Sequence, residues 1–125
     1  MKYQHFMRYF FPLFFYLVFI FFLSSLSLPP QENYKLGNKI SFIDNYEHII
    51  EYFLLSFLFF RAINHANFRL KKNPFFYAIF FAILYGIIDE IHQMFVPLRG
   101  FDIYDLLANI IGSSFIVVFK VFKRD

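Results

Sequence analysis

The hydrophobic residues fall into four long stretches, which short polar blocks separate. These stretches cover residues 9–28, 44–64, 75–96 and 103–119. Each holds about 20 residues, the length of an α-helix that crosses a hydrocarbon core of about 30 Å. The pattern therefore predicts an all-α membrane protein, a bundle of four transmembrane helices joined by short loops.

Proline residues mark several of the predicted boundaries. Pro29 and Pro30 stop the first helix, and the polar residues up to about 43 form a loop. Pro74 suits the first turn of the third helix, and Pro97 ends it. At the start of the second helix, Asp44 fits an N-cap, since its carboxylate accepts from free backbone N–H groups.

The first stretch has a competing interpretation as a secretory signal peptide. Lys2 and Arg8 precede the apolar run and small serine residues follow it. No A-x-A-like cleavage site is visible, however. We therefore expect the segment to remain attached as the first membrane span.

The amino-acid composition supports the membrane interpretation and excludes several kinds of functional site. Of the 125 residues 59% are hydrophobic, and the mean hydropathy is +0.52. A soluble domain of this size does not bury so much apolar surface. The chain has no cysteine, which excludes disulfides, thiolate metal sites and cysteine nucleophiles. No H-E-x-x-H or similar ligand pair is present, and we expect neither a metal nor a cofactor.

The basic residues predict the orientation in the cell membrane. Nine Lys and Arg residues flank the spans on the side of the two termini and the 61–73 loop, against three on the other side. The positive-inside rule places the more basic side, with both termini, in the cytoplasm. Because these residues form no stripe with interleaved aromatic residues, we do not expect nucleic acid as a partner.

Polar residues in the third stretch are predicted to lie inside the hydrocarbon core and not at the membrane surface. If a helix enters the core at Phe75, its rise places Asp89 roughly 21 Å across a core of about 30 Å. A charged residue at mid-bilayer costs about 2.5 to 3.5 kcal/mol on insertion scales. Glu90 and Gln93 lie nearer the far surface, so the stretch predicts a polar cluster towards the outer end of the bundle.

The second and fourth stretches bring polar residues to a similar depth. Helix rise places His48 roughly 6 Å and Asn109 roughly 9 Å below the outer surface. Residues four apart share one face of a helix. Such pairs or triplets occur in three stretches: Asp44, His48 and Tyr52; Asp89 and Gln93; Asp105 and Asn109.

Several of these residues also have simpler explanations. Asp44 and Asp105 each suit the first turn of a helix, where a carboxylate is stabilised. His48 and His92 suit hydrogen-bonded packing positions as well as a site. Arg99 fits an interfacial anchor, or a fixed cation that pairs with an acid or binds an anionic group.

The order of the polar residues resembles that of the VanZ-like family of small membrane proteins. A first motif, similar to D-K-x-x-H-x-x-x-Y, covers residues 44–52. A second motif is similar to the family's D-E-x-x-Q-x-F followed by R, D, N and G; its residues here are Asp89, Glu90, Gln93, Phe95, Arg99, Asp105, Asn109 and Gly112. The chain departs from the family at Asn45, where Lys is usual, and at Leu98, where Gly is common.

The resemblance implies a single membrane domain over residues 1–125 and a link to low-level resistance to the glycopeptide teicoplanin, without a defined molecular activity. One hypothesis is a protein that binds an amphiphilic or lipid-linked molecule in an outward-facing polar pocket. The residues expected to line that pocket are Asp44, His48, Tyr52, Asp89, Glu90, Gln93, Arg99, Asp105 and Asn109.

Two other classes of function stay open at this point. The first is an intramembrane enzyme for a lipid-linked envelope substrate, with His48 and either Asp89 or Glu90 as acid and base. The second is a structural helper whose polar groups hold helices together. Membrane lipids are expected partners in each case, and the sequence gives no oligomeric state.

The predicted orientation is tested by cysteine labelling, which the absence of native cysteine makes direct. Gly37→Cys should react with a membrane-impermeant thiol reagent in intact cells, because the 29–43 loop is expected to face outward. Asn67→Cys should react only after the cells are opened. Labelling of Asn67→Cys alone in intact cells would reverse the orientation.

Overall fold

The computed structural model describes residues 2–27, 39–65 and 72–122. The regular structure there is helical throughout, which confirms the predicted all-α membrane bundle. The helices are α1 (Lys2–Ser25), α2 (Lys39–His65), α3 (Pro74–Gln93), α4 (Ile103–Ser114) and α5 (Val117–Phe122). A two-residue turn separates α4 from α5, and together they occupy the fourth predicted stretch.

Some helix boundaries differ from the prediction. The N-cap role predicted for Asp44 is wrong, because α2 begins at Lys39 and Asp44 lies more than a turn inside it. Helix α3 ends at Gln93, before Pro97, because the chain there changes to tight turns with bonds from Phe95 N–H to His92 O and from Val96 N–H to Gln93 O. Pro29, Pro30, Gly37 and Asn67 lie outside the described residues.

Within the described residues, three helical segments are long and apolar enough to cross a membrane. They are Phe6–Ser25, Pro74–Gln93 and Ile103–Lys120. Helix α2 is not among them, although its 27 residues would extend about 40 Å. Its length suits a crossing, and its packing against α1, α3 and α4 makes it part of the same bundle. That α2 crosses the membrane stays a prediction.

Small residues on α3 allow the other helices to pack closely against it. Ala78, Ala82 and Gly86 recur every four residues on one face and are buried, the spacing that favours close helix packing in membranes. Large side chains pack around this face, with Tyr52 and Leu55 of α2 fully buried. Many phenylalanine side chains instead point outward from the bundle, as expected of a surface that faces lipid.

Helices α2 and α4 approach each other closely at Gly112. A Cβ atom added there would lie 2.8 Å from Ile49 Cα and collide with the Ile49 carbonyl group. Only glycine therefore lets the two backbones meet at this distance. The contact fixes the position of α4 relative to the polar part of α2.

Gly112→Ala is expected to destabilise the protein, because the backbones of α2 and α4 must move apart. Overpacking of this kind costs about 1 to 3 kcal/mol, which thermal unfolding in detergent would detect as a lower Tm. Gly100→Ala is the matched control, since a Cβ there meets no heavy atom within 4 Å. Equal Tm values for the two variants would contradict the close contact.

Candidate functional site

A cavity of about 620 Å³ opens between α1, α2, α3 and the link that follows α3. It lies where α1 and α3 end, beside the polar residues in the first half of α2. The residues that line it are Tyr16, Phe19, Ile20, Leu23, Ser24, Leu26, Glu47, His48, Ile50, Glu51, Asp89, Gln93 and Arg99. The cavity therefore joins polar groups from α2, α3 and the link to an apolar wall from α1.

Asp89 lies deepest among the acidic residues of the cavity. Its side chain is buried, and Oδ2 accepts from Gln93 Nε2 at 3.2 Å and from the Tyr52 hydroxyl at 3.5 Å. The other oxygen, Oδ1, is buried without a hydrogen-bond partner among the described residues. Since a buried carboxylate oxygen without a partner is costly, Asp89, which lines the cavity, retains one unsatisfied acceptor.

Two glutamates of α2 complete the acidic side. Glu47 and Glu51 are one helical turn apart, and both line the cavity. The Glu51 carboxyl group is close enough to Asp89 to interact with it electrostatically. The Arg99 guanidinium group attracts the Glu51 carboxylate, whereas Asp89 and Glu47 repel it. Among the described lining residues Arg99 is the only Lys or Arg.

Helix α1 supplies the apolar wall and is tied to the other helices by tyrosine hydroxyl groups. The Tyr16 hydroxyl donates to the Glu51 carbonyl oxygen at 3.0 Å, and the Tyr85 hydroxyl donates to the Leu17 carbonyl oxygen at 2.7 Å. These bonds hold the apolar residues of α1 across the cavity from the acids. One side of the cavity is thus polar, and the opposite side is mainly hydrocarbon.

A second polar group lies on the α4 side of α3. Glu90 is fully buried and its Oε2 accepts from the Asp102 backbone N–H at 3.1 Å, which anchors the start of α4. His48 Nε2 lies 3.6 Å from Asp105 Oδ2. Asn109 is buried, and its side-chain atoms have no hydrogen-bond partner among the described residues.

The nine residues predicted to line one pocket therefore lie in different places. Four line the cavity, namely His48, Asp89, Gln93 and Arg99, and Tyr52 reaches it through its bond to Asp89. The remaining described residues, Glu90, Asp105 and Asn109, belong to the second polar group. The Asp44 side chain lies outside the part of the chain that is described.

Other candidates have structural positions. The His92 Nε2 atom lies 3.0 Å from the Ser25 hydroxyl oxygen, and its ring packs on Phe21. This matches the packing role that the sequence offered as an alternative. Across the described residues, no group of three His, Cys, Asp or Glu side chains is placed to hold a metal ion.

Sequence reasoning missed Glu47 and Glu51 as lining residues. Both lie near the start of the second predicted stretch, where the exposed N–H groups of a helix already favour a carboxylate. Their spacing carried a usable signal, because Glu51 follows Glu47 by four residues and His48 by three, which puts all three on neighbouring parts of one face. The cavity shows that this face extends the polar set towards α1.

The turn before Arg99 is strained at one residue. Leu98 adopts a φ of 66°, in the left-handed region that favours glycine. This is the position where the sequence departs from the glycine of the family pattern. The turn returns the chain so that Arg99, whose N–H bonds to Val96 O at 3.1 Å, reaches the cavity.

Comparison with protein families identifies a match over nearly the whole chain. The family model described as VanZ/LLP1 matches residues 3–123, a range that contains the cavity and the second polar group. No curated protein and no solved structure matches the chain.

Leu98→Gly is expected to stabilise the protein, because glycine adopts this φ without the clash of a Cβ. The left-handed conformation costs a residue with a side chain roughly 1 to 2 kcal/mol, and the Leu98 side chain is largely exposed. Thermal unfolding should show a higher Tm for Leu98→Gly and no such gain for Leu98→Ala, which retains the Cβ. A gain in both variants would assign the effect to the side chain and not to the backbone.

Proposed function

The chain belongs to the VanZ/LLP1 family, and from that premise we propose that it is a cell-envelope membrane protein that binds an amphiphilic or lipid-linked molecule. The binding site is the cavity between α1, α2 and α3. Its occupant alters the response of the cell to the glycopeptide teicoplanin, as the family resemblance implies.

The observation that carries this proposal is the two-sided lining of the cavity. Acidic and amide side chains, among them Asp89, Glu51 and Gln93, occupy one side, and apolar residues such as Phe19 and Leu23 occupy the other. Ligand sites are concave and mostly apolar, with a few polar groups that orient the ligand. A molecule with a polar head and a hydrocarbon chain matches both sides at once.

The position of the cavity in the bundle gives the side from which the ligand enters. The lining residues of α1 and α3 lie in the last turns of those helices. With both termini in the cytoplasm, as the basic residues favour, this end faces outward. The ligand then comes from the outer leaflet or from the envelope beyond it.

A second candidate is an intramembrane enzyme that acts on a lipid-linked substrate. The observation in its favour is His48, which lines the cavity while its Nε2 lies 3.6 Å from the Asp105 carboxylate. A carboxylate in this position orients an imidazole for acid–base chemistry. Release of product by the purified protein would favour the enzyme, and saturable binding without product would favour the binding protein.

Filling the cavity tests the proposed function. Ser24 is buried at the cavity wall, and Phe22 on the same helix points outward. In cells that contain the protein, teicoplanin tolerance should exceed that of cells without it. Ser24→Trp should remove this difference by occupying the ligand space, and Phe22→Trp should retain it at equal protein level in the membrane.

Two results would contradict the proposal. Equal tolerance with and without the wild-type protein would remove the link to glycopeptides. Full tolerance with Ser24→Trp, with the variant present at wild-type level, would show that the cavity is not the site of function.

A further inference from the structure

We infer that the cavity selects an amphiphile whose head group carries a positive charge and N–H donors, as a primary ammonium does. This inference rests on the proposed function, because it names the class of molecule that the same cavity holds. It goes beyond that function by assigning the sign of the head-group charge.

The charge of the lining is the first argument. Three carboxyl groups, those of Glu47, Glu51 and Asp89, face one guanidinium group among the described lining residues. Arg99 interacts with Glu51, so this cation compensates part of the acidic charge. An anionic head group would meet like charges, which disfavours its binding.

The unpaired acceptor at Asp89 is the second and independent argument. Asp89 Oδ2 is occupied by the hydrogen bonds from Tyr52 and Gln93, which fix the carboxyl group in place. Its Oδ1 has no partner among the described residues although it is buried. A ligand that donates an N–H there satisfies this atom, and a charged donor makes the stronger bond.

The apolar residues that line the cavity indicate the chemistry of the rest of the ligand. The cavity is also lined by Ile20 and Leu23 of α1 and by Leu26, which directly follows that helix. A hydrocarbon chain attached to the ammonium group lies along these residues and gains from the burial of its apolar surface. A small ammonium ion without a chain leaves this wall uncovered and binds less tightly.

The experiment uses a cysteine inside the cavity as a reporter. Ser24→Cys is the single thiol of the chain, since the sequence has no cysteine, and its alkylation by a small uncharged reagent is followed in maltoside micelles. Dodecylammonium, dodecanol and dodecanoate then compete with the reagent. They share one chain length and differ in head-group charge.

We expect dodecylammonium to protect the thiol at a concentration at least about tenfold below that of dodecanol, with dodecanoate weakest. Glu51→Gln and Asp89→Asn should each weaken protection by dodecylammonium about tenfold and leave dodecanol unchanged, because each removes one charged acceptor. Asp102→Asn is the matched control. Its side chain caps α4 and does not line the cavity, so protection should stay at the wild-type level.

The outcomes separate this inference from the function on which it rests. Equal protection by the three compounds would sustain an amphiphile site and overturn the charge assignment. Strongest protection by dodecanoate would show that Arg99 governs the site and would also overturn it. Protection by none of them would overturn both. If Asp89→Asn does not fold, Glu51→Gln and Glu47→Gln give the same comparison on α2.

Discussion

The free-energy cost of placing carboxyl groups inside a membrane bundle constrains the whole arrangement. Helix α3 carries Asp89 and Glu90 as neighbours, and successive residues of an α-helix point about 100° apart. The two acids therefore face different helices. Asp89 meets Tyr52, Gln93 and the cavity, whereas Glu90 accepts from the backbone at the start of α4. One adjacent pair thus generates two polar groups, one of which lines the cavity and one of which stays inside the bundle.

The packing of the bundle keeps these two groups close together. Gly112 brings the backbone of α4 against Ile49 of α2, and this contact sets Asp105 beside His48. His48 lines the cavity as well, so it belongs to both groups. A displacement of α4 would consequently change the cavity through His48, although no described residue of α4 lines it. Packing and site are coupled at this histidine.

Much of the fold and part of the site could be predicted from the sequence. Apolar length predicted the helices, and helix rise brought polar residues of three stretches to one depth. Depth alone does not tell which neighbour a side chain faces, which is why Glu90 and Asn109 were grouped with Asp89. Glu51 was missed because a carboxylate early in a helix already has an explanation. The boundary at Asp44 was wrong because α2 already begins at Lys39. The residues between them mix polar and apolar types, so neither an apolar run nor a cap residue marks the start of the helix.

In the proposed function, the carboxyl groups of one cavity bind the charged head of an amphiphile. The most direct test of this binding is the carbon-13 carboxyl spectrum of protein labelled at aspartate and glutamate, recorded while dodecylammonium is added. The Glu51 and Asp89 resonances should shift together and saturate at one concentration, while that of Asp102 should not move. Equal shifts for all three residues, or none for Glu51 and Asp89, would contradict this binding.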